Sequence, residues 1–322
     1  MQKQIETIDR NTPGSLGVFV KRLDSGESFA YGADKRWYLA STVKVPIAIT
    51  LLRQVDDGKL ELRQQMTLEE TDKVDGSGPV VWSAAGTRYT LDTLLERMLG
   101  VSDNTAANML VRAEGEDRLN DTAAEAMGRG NVGRLTNFTE VRRKVYQELN
   151  PEAAAKLSNR QLVEIAGAAM GPQRVEAARR AMGIEKSDLR VKTIDEAYDR
   201  YYQGGDNSAT LAAYGAMLEK LVRGELLSAP STRRIFEGMK LGRPGDYRLE
   251  AGFPKSVQRI HKTGTQHRRA CHVAVVDPQD NGAHAVLVTA CAADLDDRTE
   301  AGLVFQRVGK AVARTALSAS GK

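Results

Sequence analysis

Apolar and polar positions alternate near both ends of the chain and repeat with helical spacing between them. The segment LGVFVKRLDSGESFAYG alternates on either side of an Asp-Ser-Gly turn at 24–26, which predicts a two-stranded hairpin. Strand character returns in SVQRIHKTGT, CHVAVV and AHAVLVTAC, and RTEAGLVFQRVGKAVARTAL has helical spacing. The pattern predicts strands over about 15–33 and 256–292, followed by a closing helix.

The middle of the chain is mostly helical in pattern. Helical spacing covers Ser41 to about Val55, Leu91 to Leu99, Thr105 to Ala113, and a long region from about Gly130 to Gly224. We expect an α/β (α+β) fold in which one antiparallel sheet, built from both termini, packs with a mostly helical lobe over about 41–235. The two lobes would form a single domain over 1–322.

Composition narrows the class of protein. A chain of 322 residues with 41% hydrophobic content can bury a sizeable core. Its 46 basic and 42 acidic residues are dispersed, which is typical of a solvated surface and not of a nucleic-acid groove. No apolar run reaches the roughly 18 residues that a membrane span needs. Because MQKQIETIDRNTPG lacks the apolar stretch of a signal peptide, we expect either a cytoplasmic chain or one whose leader is missing from this sequence.

Two cysteines lie on neighbouring predicted strands. Cys271 begins CHVAVV and Cys291 ends HAVLVTAC, and the turn-rich DPQDNGA between them predicts an antiparallel hairpin. The two residues can therefore lie opposite each other, either as a disulfide suited to an oxidising compartment or as buried, reduced thiols.

A serine and a lysine stand at the start of the helix in LASTVKVPIAITLL. Ser41 and Lys44 are three positions apart, so they share a helix face with Cβ atoms about 5–6 Å apart. They can act as nucleophile and base if the site lowers the pKa of Lys44 by about 3 units. Since S-x-x-K arises about once by chance in a chain of this length, the pair alone favours a capping serine and a solvated lysine.

Two further motifs change this interpretation. S-D-N stands at 102–104 just before a predicted helix, and K-T-G stands at 262–264 on a predicted strand. The three motifs in this order resemble the class A β-lactamases and penicillin-binding proteins. The resemblance covers about two-thirds of the chain and implies a β-lactamase/transpeptidase-like fold, and the 61 positions from Ser41 to Ser102 are close to the spacing of that family.

The resemblance implies catalytic roles for Ser41, Lys44 and Ser102 and a substrate-binding role for Asn104. Ser41 would attack a carbonyl carbon to form an acyl-enzyme, and Lys44 would take its proton. Ser102 would give a proton to the departing nitrogen. Asn104 would hold the substrate or Lys44 by hydrogen bonds.

The same resemblance implies substrate-binding roles on the K-T-G strand. Lys262 would lower the pKa of Lys44 and attract a substrate carboxylate, with Thr263 hydrogen-bonding the same group beside Gly264. The N–H groups of Ser41 and Thr265 would form the oxyanion hole.

The resemblance implies roles for two other positions. Arg268 or Arg269 would assist with the substrate carboxylate, and we take Arg269 as the candidate. Asp103 is expected to brace its turn and not to touch substrate.

The deacylation base departs from the family pattern. Class A enzymes carry a glutamate in an E-x-x-L-N loop, but Ser102 to Asp206 spans 104 residues here, about twice what that family needs. EDRLN at 116–120 comes too early, and in YQELNP the glutamate position holds Tyr146. Glu140 lies at about the expected distance from Ser102 and Glu148 is the other candidate, although each is by default an exposed helical carboxylate.

An extra segment over about 151–204 contains amphipathic helices. Ser158 with Gln161 predicts a capping box, and Thr193 precedes an acidic first turn. The segment is either a lid over the substrate cleft or an enlargement of the helical lobe.

A metal site has only weak support in the sequence. His261, His267 and His272 flank the K-T-G strand and, with Cys271, could bind zinc adventitiously, but their spacing matches no standard ligand pattern. We therefore expect no metal and no cofactor.

These observations predict a serine β-lactamase that opens its substrate through an acyl-enzyme on Ser41. The alternatives are a DD-peptidase or esterase on the same machinery, or a penicillin-binding sensor or pseudoenzyme that is acylated once. We expect a monomer acting on a small molecule, either a β-lactam or a peptidoglycan-like peptide, with no nucleic-acid or membrane partner. The resemblance implies a periplasmic or secreted protein, and a cytoplasmic one remains the alternative.

Overall fold

The computed structural model describes residues 1–317, which form two compact units. The first unit comprises residues 1–56, 121–133 and those from 207 onward, and the second comprises 57–120 and 134–206. The strands in the described part are β1 Ser15–Arg22, β2 Ser28–Tyr31, β3 Arg36–Tyr38, β4 Gln65–Thr67, β5 Arg88–Thr90, β6 Ser208–Thr210, β7 Arg259–Gln266, β8 Arg269–Val276 and β9 Val286–Ala293.

Helices dominate the rest of the described chain. The α-helices are α1 Gln2–Arg10, α2 Lys44–Asp56, α3 Leu91–Gly100, α4 Asn104–Glu114, α5 Glu116–Met127, α6 Phe138–Leu149, α7 Pro151–Ala155, α8 Asn159–Ala166, α9 Pro172–Met182, α10 Ile194–Gln203, α11 Leu211–Val222, α12 Ala229–Gly238 and α13 Thr299–Val312. Short 3₁₀ turns connect several of them, including Ala40–Val43 before α2 and Arg248–Gly252 before β7.

One five-stranded antiparallel sheet is the centre of the first unit. Its strand order is β2-β1-β9-β8-β7, so the N-terminal hairpin pairs with the C-terminal strands as the sequence predicts. β7 lies at one edge of this sheet. The antiparallel sheet built from both termini is therefore confirmed.

Both faces of the sheet are covered. Apolar residues of α1 and α13, such as Ile5 and Phe305, pack with Val18 and Val288 of the sheet in one buried cluster. On the opposite face, Leu211 at the start of α11 packs beside the two cysteines. No helix within residues 1–317 has the length and apolar character needed to cross a membrane.

The two units differ from the two lobes that the sequence predicts. The prediction assigns residues 41–235 to a helical lobe, but α2, α11 and α12 belong to the sheet-containing unit. The reason is that α11 packs on β1 and β9, and α12 packs on α2. Helical periodicity identifies these helices without indicating which partner buries their apolar faces.

The second unit contains α3, α4 and the helices of the extra segment. α4 packs on α3 and α6, and α6 in turn contacts α7, α8 and α10. The predicted caps are present: Ser158 and Gln161 form a reciprocal capping box, and Thr193 accepts the N–H of Glu196 at 3.1 Å. α1 and α5 were not predicted from the sequence.

Candidate active site

Ser41 and Lys44 lie side by side where the 3₁₀ turn Ala40–Val43 runs into α2. The Nζ atom of Lys44 is 3.2 Å from the Oγ atom of Ser41, and the Lys44 side chain is fully buried. Ala40, next to the serine, has a φ of 48°, a left-handed conformation that costs a residue with a Cβ of order 1–3 kcal/mol. A strained turn of this kind is common where a protein fixes a reactive side chain.

The K-T-G segment is on the edge strand β7, directly beside the serine turn. A Cβ atom on Gly264 would lie 2.5 Å from the carbonyl oxygen of Leu39 and 2.9 Å from the backbone nitrogen of Ser41. Only glycine therefore allows β7 to approach the turn this closely. The structure brings Ser41, Lys44 and the K-T-G strand together within one unit.

Lys262 is a buried cation on the same strand. It is 4% exposed, and its Nζ atom donates to the carbonyl oxygen of Thr263 at 3.0 Å. Burial, together with the charges of Lys240 and Arg248, lowers the pKa of Lys262 from its usual 10.5 to about 7. The side chain can therefore change its charge near neutral pH.

Arg248 is a buried residue of this region that the sequence analysis did not identify. Its guanidinium donates to the carbonyl oxygen of Gly264 at 3.0 Å and to the hydroxyl of Thr265 at 2.8 Å. No motif surrounds Arg248, and it stands 14 positions before Lys262 on a 3₁₀ turn, so only the tertiary fold brings it to β7.

Arg269, the arginine expected to assist with the substrate carboxylate, is paired with an acidic side chain. Its guanidinium is 2.8 Å from the carboxylate of Asp294, and that of Arg268 is 3.4 Å from the same carboxylate. The two arginines that the sequence offers as carboxylate ligands thus share an acidic partner.

In the second unit, Ser102 and Asp103 form a tightly held turn before α4. Ser102 has a φ of 61°. Asp103 is fully buried, and its carboxylate accepts the N–H groups of Ala106 and Val80, each at 2.9 Å. Asp103 therefore caps α4 and braces the turn, as expected from the sequence.

Asn104 is fixed by the glycine-rich loop before α3. Its Nδ2 atom donates to the carbonyl oxygen of Asp75 at 2.8 Å, and the Asp75 carboxylate pairs with Arg142 of α6 at 2.7 Å. Gly78 touches Asp103 so closely that a Cβ there would overlap the aspartate side chain. The glycines of VDGSG let the loop lie directly on the S-D-N turn.

Glu140 lies in the first turn of α6 and not in an irregular loop. Asn137 caps this helix by accepting the N–H of Glu140 at 2.9 Å, and Asn108 of α4 accepts the N–H of Phe138 at 2.8 Å. The Glu140 carboxylate is about one-third exposed and is 3.8 Å from Arg143. Glu148 is two turns further along the same helix.

The two cysteines form a disulfide. Cys271 and Cys291 stand directly opposite each other on β8 and β9, and their sulfur atoms are bonded. Both are buried beside Leu211 and Trp37. The predicted hairpin and the first of the two alternatives for the cysteines are confirmed.

One group of possible metal ligands occurs within residues 1–317. Side-chain ligand atoms of Glu250, His261 and His272 lie within 4.8 Å of one another, and neither His267 nor Cys271 belongs to the group. His272 Nδ1 accepts the backbone N–H of Leu249 at 3.3 Å, so the ring proton of His272 is on Nε2, which is 3.0 Å from His261 Nδ1.

This hydrogen bonding does not suit a cation. A metal on Nε2 of His272 would force a proton onto Nδ1, opposite the Leu249 N–H. The Glu250 carboxylate is already paired with Arg259. Burial, reinforced by Arg259 and two lysines, lowers the pKa of His261 to about 3, and burial also lowers the pKa of His272, so both rings are neutral near neutral pH. The cluster therefore acts as a buried hydrogen-bond network.

A serine beside a buried lysine, held against a K-T-G edge strand, defines a serine hydrolase of the class A-like type. The chain matches the family model described as the beta-lactamase enzyme family over residues 1–316. The protein belongs to that family.

Individual comparisons agree with the family. Beta-lactamase CTX-M-97 of Escherichia coli is 25% identical over 294 residues, which cover 90% of this chain and 80% of that relative. The solved structure of PBP-A matches with a TM-score of 0.71 at 20% identity, covering 98% of this chain and 96% of that one. An ancestral (GNCA) class A β-lactamase matches with a TM-score of 0.69 at 25% identity, covering 97% of this chain and 98% of that one.

Proposed function

We propose that this protein is a serine β-lactamase that opens its substrate through an acyl-enzyme on Ser41. The observation that carries the proposal is the 3.2 Å approach of Lys44 Nζ to Ser41 Oγ. This distance is short enough for the lysine to take the serine proton as the oxygen attacks a carbonyl carbon. Membership of the beta-lactamase enzyme family supports a β-lactam as the substrate.

The other motif residues complete the reaction. The N–H groups of Ser41 and Thr265 bind the developing oxyanion, a contribution of about 3–4 kcal/mol per donor. Ser102 gives a proton to the departing nitrogen, and Asn104 holds substrate. Lys262 and Thr263 bind the substrate carboxylate, with Arg269 assisting through its position beside the β7–β8 turn.

Hydrolysis of the acyl-enzyme requires a base, and we propose Glu140 for this step. A specific observation favours a second candidate function, because the Glu140 carboxylate lies on a regular helix next to Arg143. If the ion pair with Arg143 keeps the Glu140 carboxylate away from the deacylating water, the acyl-enzyme formed with a β-lactam persists. The same residues then act as a DD-peptidase or esterase on other substrates, or as a penicillin-binding sensor.

The disulfide bears on the cellular setting that we propose. The Cys271–Cys291 disulfide supports an oxidising compartment, and we propose the periplasm or the outside of the cell as the location. There it would act as a monomer on small molecules, without a cofactor, a nucleic acid or a membrane partner. Hydrolysis of β-lactams at this location would confer antibiotic resistance.

Mass spectrometry after mixing with a penicillin, combined with a chromogenic cephalosporin assay, tests the proposal. Turnover supports a β-lactamase, and a persistent adduct supports the sensor or peptidase. Ser41→Ala should abolish both the adduct and the turnover, whereas Ser25→Ala in the exposed β1–β2 turn should change neither. An unchanged adduct on Ser41→Ala would exclude Ser41 as the nucleophile.

A further inference from the structure

A groove between α1 and α13 has a positively charged lining. Its cavity has a volume of about 470 Å³, which is within the usual range for sites that hold small molecules. Four basic side chains line this α1–α13 groove: Lys3 of α1 and, on α13 and the helical turn after it, Arg307, Lys310 and Arg314. Among the described residues, no aspartate or glutamate contributes to the lining.

Helical spacing explains why the charges meet in this groove. Arg307, Lys310 and Arg314 are separated by three and then four positions, so they share one face of their helix. Lys3 and Thr7 are four positions apart and line the groove from α1. Like charges on one face repel one another, so an anion that binds among them relieves this repulsion.

The acidic residues of α1 bond to other parts of the chain. Glu6 accepts a hydrogen bond from the amide of Gln2 at 2.5 Å. Asp9 accepts the N–H of Leu16 at 3.0 Å and the hydroxyl of Tyr31 at 2.5 Å. Both carboxylates thus serve the donors of their own neighbourhood and do not line the groove.

The floor of the groove is apolar. Ile8 and Ala311 line it and are buried members of the cluster between the sheet and the two helices. Gln4 also lines the groove, and its Oε1 atom is buried with no hydrogen-bond donor among the described residues, so its amide is available to a ligand. A bare inorganic anion would leave the apolar floor in contact with water, so the groove favours an anion that carries an apolar chain.

We propose that the α1–α13 groove binds a small anionic amphiphile, with its head group on Arg307 and Lys310 and its apolar chain along Ile8 and Ala311. A medium-chain fatty-acid carboxylate has this chemistry. The proposal is independent of the proposed function, because the groove contains none of the motif residues and its occupancy is measured without turnover.

Titration calorimetry of the full chain with dodecanoate is the first test. We expect saturable binding of one dodecanoate, with an affinity that falls as salt is added. Dodecyltrimethylammonium has the same chain with the opposite charge, and sulfate has charge without a chain, so each should bind at least about tenfold more weakly. The absence of saturable dodecanoate binding, or equal binding of either comparison ligand, would overturn the proposal.

Two further results would assign the ligand elsewhere. Lys262→Ala should bind dodecanoate as the parent does, and loss of binding in this variant would place the anion at the candidate active site. Association with phosphatidylglycerol vesicles by a chain that does not bind dodecanoate would make a membrane surface the ligand. Either result would overturn the proposal.

A substitution at Thr7 tests the position of the head group. Thr7 is exposed and lines the groove, so a change there leaves the core intact. Thr7→Glu places a carboxylate among the basic side chains and should weaken dodecanoate binding by about tenfold, because it repels the head group and pairs with the cations. Thr7→Gln has the same shape without the charge and should keep near-parental affinity. Equal affinities for the two variants would contradict the proposal.

Removal of charge from α13 is the complementary test. The double variant Arg307→Gln with Lys310→Gln should bind dodecanoate about tenfold more weakly than the parent. Lys192→Gln with Arg233→Gln removes the same net charge from exposed positions outside the groove and should keep the parental affinity. Equal losses in the two double variants would show attraction to the net charge of the protein and would exclude a site in the groove.

Discussion

The backbone nitrogen of Ser41 lies 2.9 Å from the point that a Cβ on residue 264 would occupy. The nucleophile turn and the edge strand are therefore in direct backbone contact, and the third residue of K-T-G has to be glycine. Packing of β7 against the serine turn therefore requires the glycine of this motif, in addition to the chemical roles of its lysine and threonine.

Gly264→Ala should damage both activity and stability. The added methyl group meets the Leu39 carbonyl at 2.5 Å, so either β7 or the serine turn has to move. Overpacking of this kind typically costs about 1–3 kcal/mol of unfolding free energy, and the acylation rate should fall with it. Urea unfolding and penicillin acylation kinetics measure the two effects.

Gly302→Ala is the matched control for this change. A Cβ at Gly302 meets only a ring carbon of Tyr247, at an ordinary 3.6 Å, and the position is within α13. This variant should be as stable as the parent or slightly more so, because alanine is the better helix former. Identical behaviour of the two variants would contradict the close contact at Gly264.

The lowered pKa of Lys262 predicts a pH dependence of substrate preference. With a pKa of about 7, Lys262 is charged below that pH and neutral above it. The kcat/KM for a carboxylate-bearing β-lactam should therefore fall as the pH rises through about 7, more steeply than for a neutral ester. Lys262→Ala should remove this difference in pH profile and weaken the β-lactam more than the ester.

Lys310→Ala is the control for the Lys262 experiment. Lys310 is an exposed lysine on α13, so this variant should keep the parental pH profile of kcat/KM. Equal losses on β-lactam and ester for Lys262→Ala would mean that Lys262 acts on the base Lys44 and not on the carboxylate.

The lowered pKa of Lys262 also makes the unfolding free energy depend on pH. Between about pH 7 and 10.5 the unfolded chain keeps a proton on Lys262 that the folded chain has lost. The unfolding free energy should therefore rise with pH across this window by the contribution of this group. Urea unfolding of the parent and of Lys262→Met at several pH values isolates the contribution of Lys262. Parallel plots of unfolding free energy against pH for the two proteins would show that the pKa of Lys262 is not lowered in the folded state.

Glu140→Gln tests the deacylation step. Glutamine keeps the shape of the side chain but cannot take a proton from water, which typically costs about 10²–10⁴-fold. We expect near-normal acylation followed by accumulation of a penicilloyl adduct, measured by mass spectrometry over time.

Glu148→Gln is the control on the same helix. Two turns of α6 separate Glu148 from Glu140, so the two carboxylates cannot serve the same water, and Glu148→Gln should hydrolyse at the parental rate. Parental turnover by Glu140→Gln would remove Glu140 from the mechanism, while leaving Ser41 as the nucleophile.

The disulfide should contribute measurably to stability. Cys271 and Cys291 are 20 positions apart, and closing a loop of this length restricts the unfolded chain by about 3 kcal/mol in the loop-entropy model. The double variant Cys271→Ala with Cys291→Ala should therefore unfold at a lower urea concentration. Adding reductant should lower the urea midpoint of the parent toward that of the double variant. A midpoint that changes neither with reductant nor in the double variant would contradict the disulfide bond.

The sequence alone predicted many of the local elements, although not α1 or α5, and it supplied the three motifs. Alternation predicted the N-terminal hairpin, capping residues such as Ser158 and Thr193 predicted helix starts, and three short motifs predicted the serine, the lysine and the strand beside them. These features depend on residues within a few positions of one another, so periodicity and hydrogen-bonding capacity are sufficient to predict them.

Only the tertiary structure decided which distant residues meet. Arg248 reaches Gly264 across a turn that no motif marks, whereas Arg269, next to the motif, pairs with Asp294. Sequence periodicity also did not indicate that α11 belongs with the sheet. The physical reason is that such contacts are fixed by strand register and by the packing of elements far apart in the chain, which no local pattern of polar and apolar residues encodes.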